Sequence, residues 1–374
     1  MRIVAAPDSF KESLTASAAA AAMAEGVSRV WPAAQCVQVP LADGGEGTLA
    51  VLVGAFGAQV RTVATTDPLG RPVLASYGLA GDVAIIEVAT AIGLELIEPE
   101  LRDIENATTI GVAALLTAAL DAGATRLIVG IGGTATCDGG AGLLAGLGAR
   151  LLDADGAEVQ PTPAGLARLA RVELAGLEPR LAGVRIEIAS DVTNPLLGPL
   201  GAAAVFAPQK GARPDQLPLL ENSLSRLTEA LVVAGATDVQ DAPGSGAAGG
   251  LGAALLTVGG RLRSGVGLVA EAVGLAEQIA GADLVLTGEG ALDAQTGSGK
   301  VVAGVVAVAA RYRVPVIAFA GRIPDPEVIQ ALGLAGAVAI TTAELPFEQA
   351  VAQAPGLLSA AVASTLAAWP KGSA

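Results

Sequence analysis

The chain contains no histidine. That excludes His-based catalytic triads, imidazole general bases and His-ligated zinc. Acid–base work then falls to Asp, Glu or Lys, and any metal is expected to be a hard ion held by oxygen. The two cysteines, Cys36 and Cys137, stand far apart and make neither a disulfide framework nor a metal knuckle. Aromatic residues are only 2% of the chain, so stacking platforms for nucleic-acid bases are scarce. Lys and Arg number 22 against 36 Asp and Glu, and the net charge of −14 argues against nucleic acid or an anionic membrane as partner. Apolar runs are interrupted by glycine and charge and read as too short to span a bilayer, and no cleavable leader is visible after Met1. The expectation is a cytoplasmic protein with small-molecule partners and none among membranes or nucleic acids. Self-association into a homo-oligomer is left open.

What the chain does have is length and apolar content. Its 374 residues, 52% of them hydrophobic, can fill two or three domain cores. Residues 127–144, LIVGIGGTATCDGGAGLL, organise the rest. An apolar run with the character of a strand buried on both faces breaks into a glycine-rich loop containing Gly132, Gly133, Thr134, Thr136 and Asp138. Such a loop can bring backbone N–H groups close to an anion, or can be a tight strand–helix turn with no ligand.

Taken in order, residues 2–6 read as a strand ending in PDSFK, and Ser13, Thr15 and Ser17 offer caps for a helix running to about Trp31. Residues 36–39 form a second strand ending in PLADGGEGT, followed by a helix over 48–56. That is the pattern of a parallel sheet with ligand loops at its carboxyl edge. Residues 59–88 change character and read as an antiparallel meander, hence a different subdomain. Residues 151–173 read as a polar excursion, and the C-terminal part again alternates β and α, with strands expected at 284–287, 314–319 and 335–340 and a closing helix over 346–369. The expected division is a discontinuous Rossmann-like domain, 1–58 plus 282–374, with 59–281 inserted as a second α/β domain carrying the meander.

Five strand-end loops concentrate the charge: Asp8/Lys11, Asp43/Glu46, Asp138, Asp191/Asn194 and Glu289/Asp293/Lys300. Carboxylates at several such positions suit magnesium, and Lys11, Lys210 and Lys300 suit phosphate oxygens as point charges. Together they read as phosphoryl transfer. Gly299-Lys300 is not a Walker A loop, because Ala294 replaces the required glycine and Val301 the Ser/Thr. The formal GxGxxG at 244–249 follows no apolar strand, which disfavours a dinucleotide site. Asp191, opening DVTNP, is a base for a substrate hydroxyl or the start of an Asx-turn. Asp43 and Glu46 are metal ligands or a helix N-cap with first-turn acid. Arg71 in PLGRP closes a hairpin turn or clamps a substrate carboxylate.

The ordered segments APDSFKESLTA, PLADGGEGT, GIGGTATCDGGAG, SDVTNPLLGPLGAAAVFAPQKGA, PGSGAAGGLGAAL and TGEGALDAQTGSGK resemble the type I glycerate kinase family over essentially the whole chain. The resemblance implies two intertwined α/β domains, one Rossmann- or flavodoxin-like with a mainly parallel sheet, and an active-site cleft between them. It implies ATP- and Mg²⁺-dependent phosphorylation of glycerate, at the 2-hydroxyl, giving 2-phosphoglycerate. With it, Asp191, Lys11 and Asp8 are expected to be catalytic. Ser9, Gly132, Gly133, Thr134, Asn194, Lys210, Glu289, Lys300 and Arg71 are expected to bind substrate or nucleotide, and Asp43, Glu46, Asp138 and Asp293 to hold metal. Three positions depart from the family: Ala291 stands where arginine is usual after GEG, Cys137 where asparagine is common, and Val302 where proline is common after GK. Either Lys11, Lys210 or Arg322 covers the missing cation, or activity is lower, or the substrate is another small hydroxy acid. A non-catalytic nucleotide or metabolite sensor on the same scaffold is the alternative of a different class.

Overall fold

A computed structural model describes residues 1–292, 301–324, 327–342 and 345–369. Among them lie thirteen strands: β1 (Arg2–Ala5), β2 (Gln35–Gln38), β3 (Gln59–Thr66), β4 (Pro72–Ala80), β5 (Val83–Glu87), β6 (Arg126–Gly130), β7 (Arg150–Leu152), β8 (Arg171–Glu173), β9 (Arg185–Ala189), β10 (Arg261–Arg263), β11 (Leu284–Ala291), β12 (Val316–Arg322) and β13 (Gly336–Ala339). The chain divides into two compact units, Met1–Asp43 with Ala50–Ala55 and Val266–Ala374, and Gly44–Leu49 with Phe56–Gly265.

The first unit is built on a five-stranded sheet in the order β13-β12-β11-β1-β2, with every pairing parallel. Strands from the two ends of the chain therefore share one sheet. Alternate residues of β12 show how it is covered. Ile317 and Phe319 pack with Ile3, Ala5, Leu284 and Leu286 under the helices Ala16–Val30 and Phe347–Ala368. Ala318 and Ala320 pack on the other face with Val302 of the helix Val301–Tyr312 and with Ile329 and Leu332 of the helix Glu327–Leu332. The Ala16–Val30 helix begins at the expected cap, where Thr15 Oγ1 accepts from the Ala18 N–H at 3.2 Å.

The helix Phe347–Ala368 is long and apolar enough, by length and composition, to cross a membrane. This corrects the expectation that no segment is. In the fold its Ala354, Leu358, Val362 and Leu366 are buried in the core beside Met23 and Val27.

The second unit holds a six-stranded mixed sheet in the order β10-β9-β6-β5-β4-β3. The expected meander is present as antiparallel β3-β4-β5, and β5 pairs in parallel with β6 on its other side. β5 is buried along nearly its whole length and needs a strand on each side to satisfy its backbone. The excursion at 151–173 forms a small two-stranded sheet, β7-β8, and the run Ala202–Phe206 is helical.

Candidate functional site

In the first unit, the helix after β1 lies on one sheet face and the helix after β11 on the opposite face. The crossover direction therefore reverses between β1 and β11, which are neighbours in the sheet. Such a switch point opens a crevice outside the carboxyl ends of the two strands. A cavity of about 860 Å³ lies there, lined by Asp8, Lys11, Asp43, Glu289, Gly290 and Arg322 among others.

Asp8 and Asp43 follow the carboxyl ends of β1 and β2, and Glu289 and Arg322 stand in the last residues of β11 and β12. The Asp8 N–H donates to Gly288 O at 2.9 Å, holding the loop after β1 against β11, and Asp8 Oδ1 accepts from the Ser9 N–H at 2.7 Å. Burial raises the Asp8 carboxyl to about 8, and the negative charge of Asp43 and, more weakly, of Glu289 push the same way, while the Ser9 N–H and Lys11 lower it. A buried carboxyl beside two further acids marks a place where positive charge is in short supply. Lys11 and Arg322 are exposed at its edge. Arg322 is also the register partner of Ala291. The expected residues Asp8, Ser9, Lys11, Asp43 and Glu289 are thus brought together, whereas Asp293 and Lys300 fall outside the described residues.

The second unit gathers another set. Gly130 ends β6, and the Gly132 N–H donates to Gly44 O at 3.2 Å, so the GGEG turn lies directly on the glycine loop. A Cβ on Gly132 would meet Gly45 Cα at 2.5 Å, and one on Gly44 would meet Ala189 O at 2.4 Å, so these glycines are required by close approach. Gly133 and Glu46 are exposed there. Lys210 is buried, and its Nζ donates to Thr134 Oγ1 at 3.0 Å and to Thr136 O at 2.7 Å. Burial lowers its pKa to about 8, with Cys137 and Asp138 nearby acting in the opposite direction. Thr136 Oγ1 is buried with no hydrogen-bond partner. Asp191 follows β9 and is half-buried, and Asn194 Nδ2 donates to Leu200 O at 2.9 Å.

Two expected site residues have other employment. Asp138 is fully buried and accepts from Thr109 N–H and Oγ1, both at 2.8 Å, and from the Gly140 and Gly142 N–H groups, both at 3.1 Å. These four donors occupy both carboxylate oxygens, so Asp138 clamps its loop rather than offering an open metal position. Arg71 is bound through Nε to Asp67 and through Nη2 to Leu96 O at 3.0 Å, which closes the β3–β4 turn. Among the described residues no group of three or more Asp, Glu, His or Cys has the arrangement of a metal cage.

Two buried acids within strands escaped the sequence reading. Glu87, at the end of β5, accepts from the Leu49 N–H at 2.8 Å and the Gly47 N–H at 3.4 Å, and burial raises its pKa. Glu187, in the middle of β9, accepts from Arg126 Nε at 2.5 Å and from Arg185 and Arg263, each at 2.7 Å. The signal was available: a lone acid inside an apolar strand must find donors.

A doubly wound sheet with an acid-lined, cation-edged cavity at its switch point defines an α/β enzyme acting on a small molecule. Comparison with known proteins makes this particular. The pattern of the glycerate kinase family matches residues 3–370. A glycerate kinase of Bacillus subtilis is 46% identical over 354 residues, 94% of this chain and 93% of the relative. A glycerate 2-kinase of Escherichia coli is 48% identical over 328 residues, 87% of this chain and 86% of the relative. A solved structure assigned as glycerate kinase 2 of Salmonella typhimurium LT2 superposes with a TM-score of 0.84 at 44% identity, covering 98% of this chain and 97% of that one. The chain belongs to the glycerate kinase family and is a kinase.

Proposed function

We infer that the protein transfers the γ-phosphoryl group of ATP to glycerate, at the 2-hydroxyl, giving 2-phosphoglycerate and ADP. The observation that carries this reading is the family match over nearly the whole chain, joined to the acid-lined crevice at the switch point of the first unit. In the reaction the acceptor oxygen forms a bond to the γ-phosphorus, the bond from that phosphorus to the β–γ bridging oxygen breaks, and the hydroxyl proton passes to a carboxylate. Asp191 is proposed as that carboxylate, with Asp8 and Lys11 also at the reacting groups. Ser9, Glu289, Lys210, Thr134, Asn194, Gly132, Gly133 and Lys300 are proposed to bind substrate or nucleotide. Arg71, tied into its turn, supports the substrate role least.

The donor set of the cavity fits Mg²⁺. Its carboxylates are hard oxygen ligands, and magnesium normally takes one or two of them and completes its shell with water and phosphate. It needs no three-carboxylate cage. Asp43 is the expected ligand that lines the cavity, with Glu289 beside it; Glu46 and Asp293 remain proposed ligands. Bound there, Mg²⁺ would neutralise charge on the phosphates. Residues 1–58 with 282–374 are proposed as one functional domain and 59–281 as the other, and a cytoplasmic location is proposed. The reading is tested by glycerate-dependent ADP formation with Mg²⁺ and with excess EDTA. Turnover only with the metal is expected. Equal rates without it exclude the metal, and no turnover with any small hydroxy acid leaves the sensor alternative.

A further inference from the structure

The cavity of the first unit is far larger than glycerate requires. At about 860 Å³ it is sized for a nucleotide. Its composition changes in one direction along the sheet edge. The strand order is β13-β12-β11-β1-β2, and the lining residues follow it: Asp43 beyond β2, Asp8 beyond β1, Glu289 on β11, Arg322 on β12, then Ile340 and Thr341 beyond β13. The acids thus sit together, a cation comes next, and an apolar end follows. That end is completed by Leu345 and by Phe347, Ala350 and Val351 from the first turns of the last helix.

Phe347 is the unusual member. It is 67% exposed, one of five phenylalanines in the chain, and it lines this cavity together with Ile340, Leu345 and Val351. A large exposed aromatic beside an aliphatic recess has the form of an unfilled stacking plate. The separation also fits. From β1 to β13 is three strand spacings, roughly 14 Å, which matches an extended nucleoside triphosphate from base to γ-phosphate.

We propose that the recess formed by Ile340, Leu345, Phe347 and Val351 holds the adenine base of ATP, with the triphosphate running along the sheet edge past Arg322 toward Glu289 and Asp8. This rests on the reading of the protein as an ATP-dependent kinase and assigns the subsite and the residue that recognises the base. Phe347 stacks on the purine, the aliphatic side chains enclose its opposite face, and Arg322 meets phosphate oxygens as a charge-assisted donor.

The test is direct binding, measured by calorimetry on the full chain with Mg²⁺ present. The probes are ADP, which carries the base, and inorganic tripolyphosphate, which does not. Phe347→Ala is expected to weaken ADP binding roughly 5- to 100-fold and to leave tripolyphosphate binding within two-fold of wild type. Phe347→Trp is expected to bind ADP near wild-type strength, with indole emission quenched on titration. Because Phe347 is exposed, neither change threatens the fold. Unchanged ADP affinity in Phe347→Ala, equal loss for both probes, or no ADP binding by the wild-type chain overturns the assignment. Wild-type ADP binding without glycerate turnover would instead overturn the glycerate kinase reading and leave the base subsite standing.

Discussion

Arg322 stands directly across from Ala291, as its in-register partner on the neighbouring strand β12, and both line the switch-point cavity. Side chains paired in this way on parallel strands project to the same face about 4.8 Å apart. The resemblance to the glycerate kinase family implies arginine where Ala291 stands. In this chain a guanidinium stands one strand over, on Arg322, and it is proposed to supply that charge.

This gives the first prediction. Arg322→Ala should lower kcat/KM for ATP on the order of 10²-fold, the usual cost of removing one transition-state charge donor. Adding Ala291→Arg to that variant should recover most of the loss, because it returns a guanidinium to the same edge. Steady-state kinetics of the single and double variants decide it. A double variant as impaired as the single one would mean that Arg322 acts through its own position alone.

Asp8 should trade stability for function. Its folded-state pKa of about 8 lies above the ordinary value, so between about pH 4 and pH 8 the unfolded chain ionises this group while the folded chain keeps its proton. The folded state then binds more protons, and this group's contribution to stability falls as pH rises through that window. Asp8→Asn removes the effect. Its urea midpoint should exceed that of wild type at pH 8, with the difference shrinking toward pH 4, while glycerate turnover drops by roughly 10²-fold or more. A midpoint difference independent of pH would show that Asp8 does not titrate in this range.

The sheet at the two chain ends was readable because each strand ended in a polar loop and handed on to a helix, and that order dictates parallel pairing. The acids of the switch point were readable for the same reason: Asp8, Asp43 and Glu289 each follow an apolar run in a chain with few charges. What could not be read was which acids are already satisfied. Asp138 looks like Asp43 in one dimension, yet Thr109, from a loop 29 residues away, supplies two of its donors. Glu187 was hidden for the converse reason, since its three arginines come from β6, from β9 itself and from β10. The meander at 59–88 was readable, but antiparallel spacing says nothing about the partner on the far side of β5, which is the parallel strand β6.

Asp191 is proposed as the acceptor of the glycerate hydroxyl proton, with no histidine in the chain to do it. Asp191→Asn keeps the size and the turn-forming capacity but cannot take a proton. A fall in kcat of about 10²- to 10⁴-fold is expected, with Mg-ATP affinity nearly unchanged. A kcat within a few-fold of wild type would make Asp191 a turn residue, and a collapse of Mg-ATP affinity would make it a metal ligand.

Lys210 holds its ammonium in the second unit's core against two neutral oxygens, Thr134 Oγ1 and Thr136 O, and beside the unpartnered Thr136 hydroxyl. A cation kept there without a bonded carboxylate is costly unless an anion completes the site. Its pKa is lowered to about 8 against an unfolded value of 10.5. Between those values the unfolded chain binds the extra proton, so this group's contribution to stability rises with pH from about 8 to about 10 and is constant and unfavourable below. Lys210→Met deletes that dependence. Its stability relative to wild type should therefore be higher at pH 7 than at pH 10, measured by urea unfolding at both. If the ammonium also meets a substrate oxygen, kcat/KM for glycerate should fall roughly 10- to 100-fold, the worth of one charge-assisted hydrogen bond, and saturating glycerate should shift the Lys210 titration upward when followed by NMR of the side-chain amine. A titration unmoved by glycerate, with full activity in Lys210→Met, would leave Lys210 as a strut for the Thr134–Thr136 loop and nothing more.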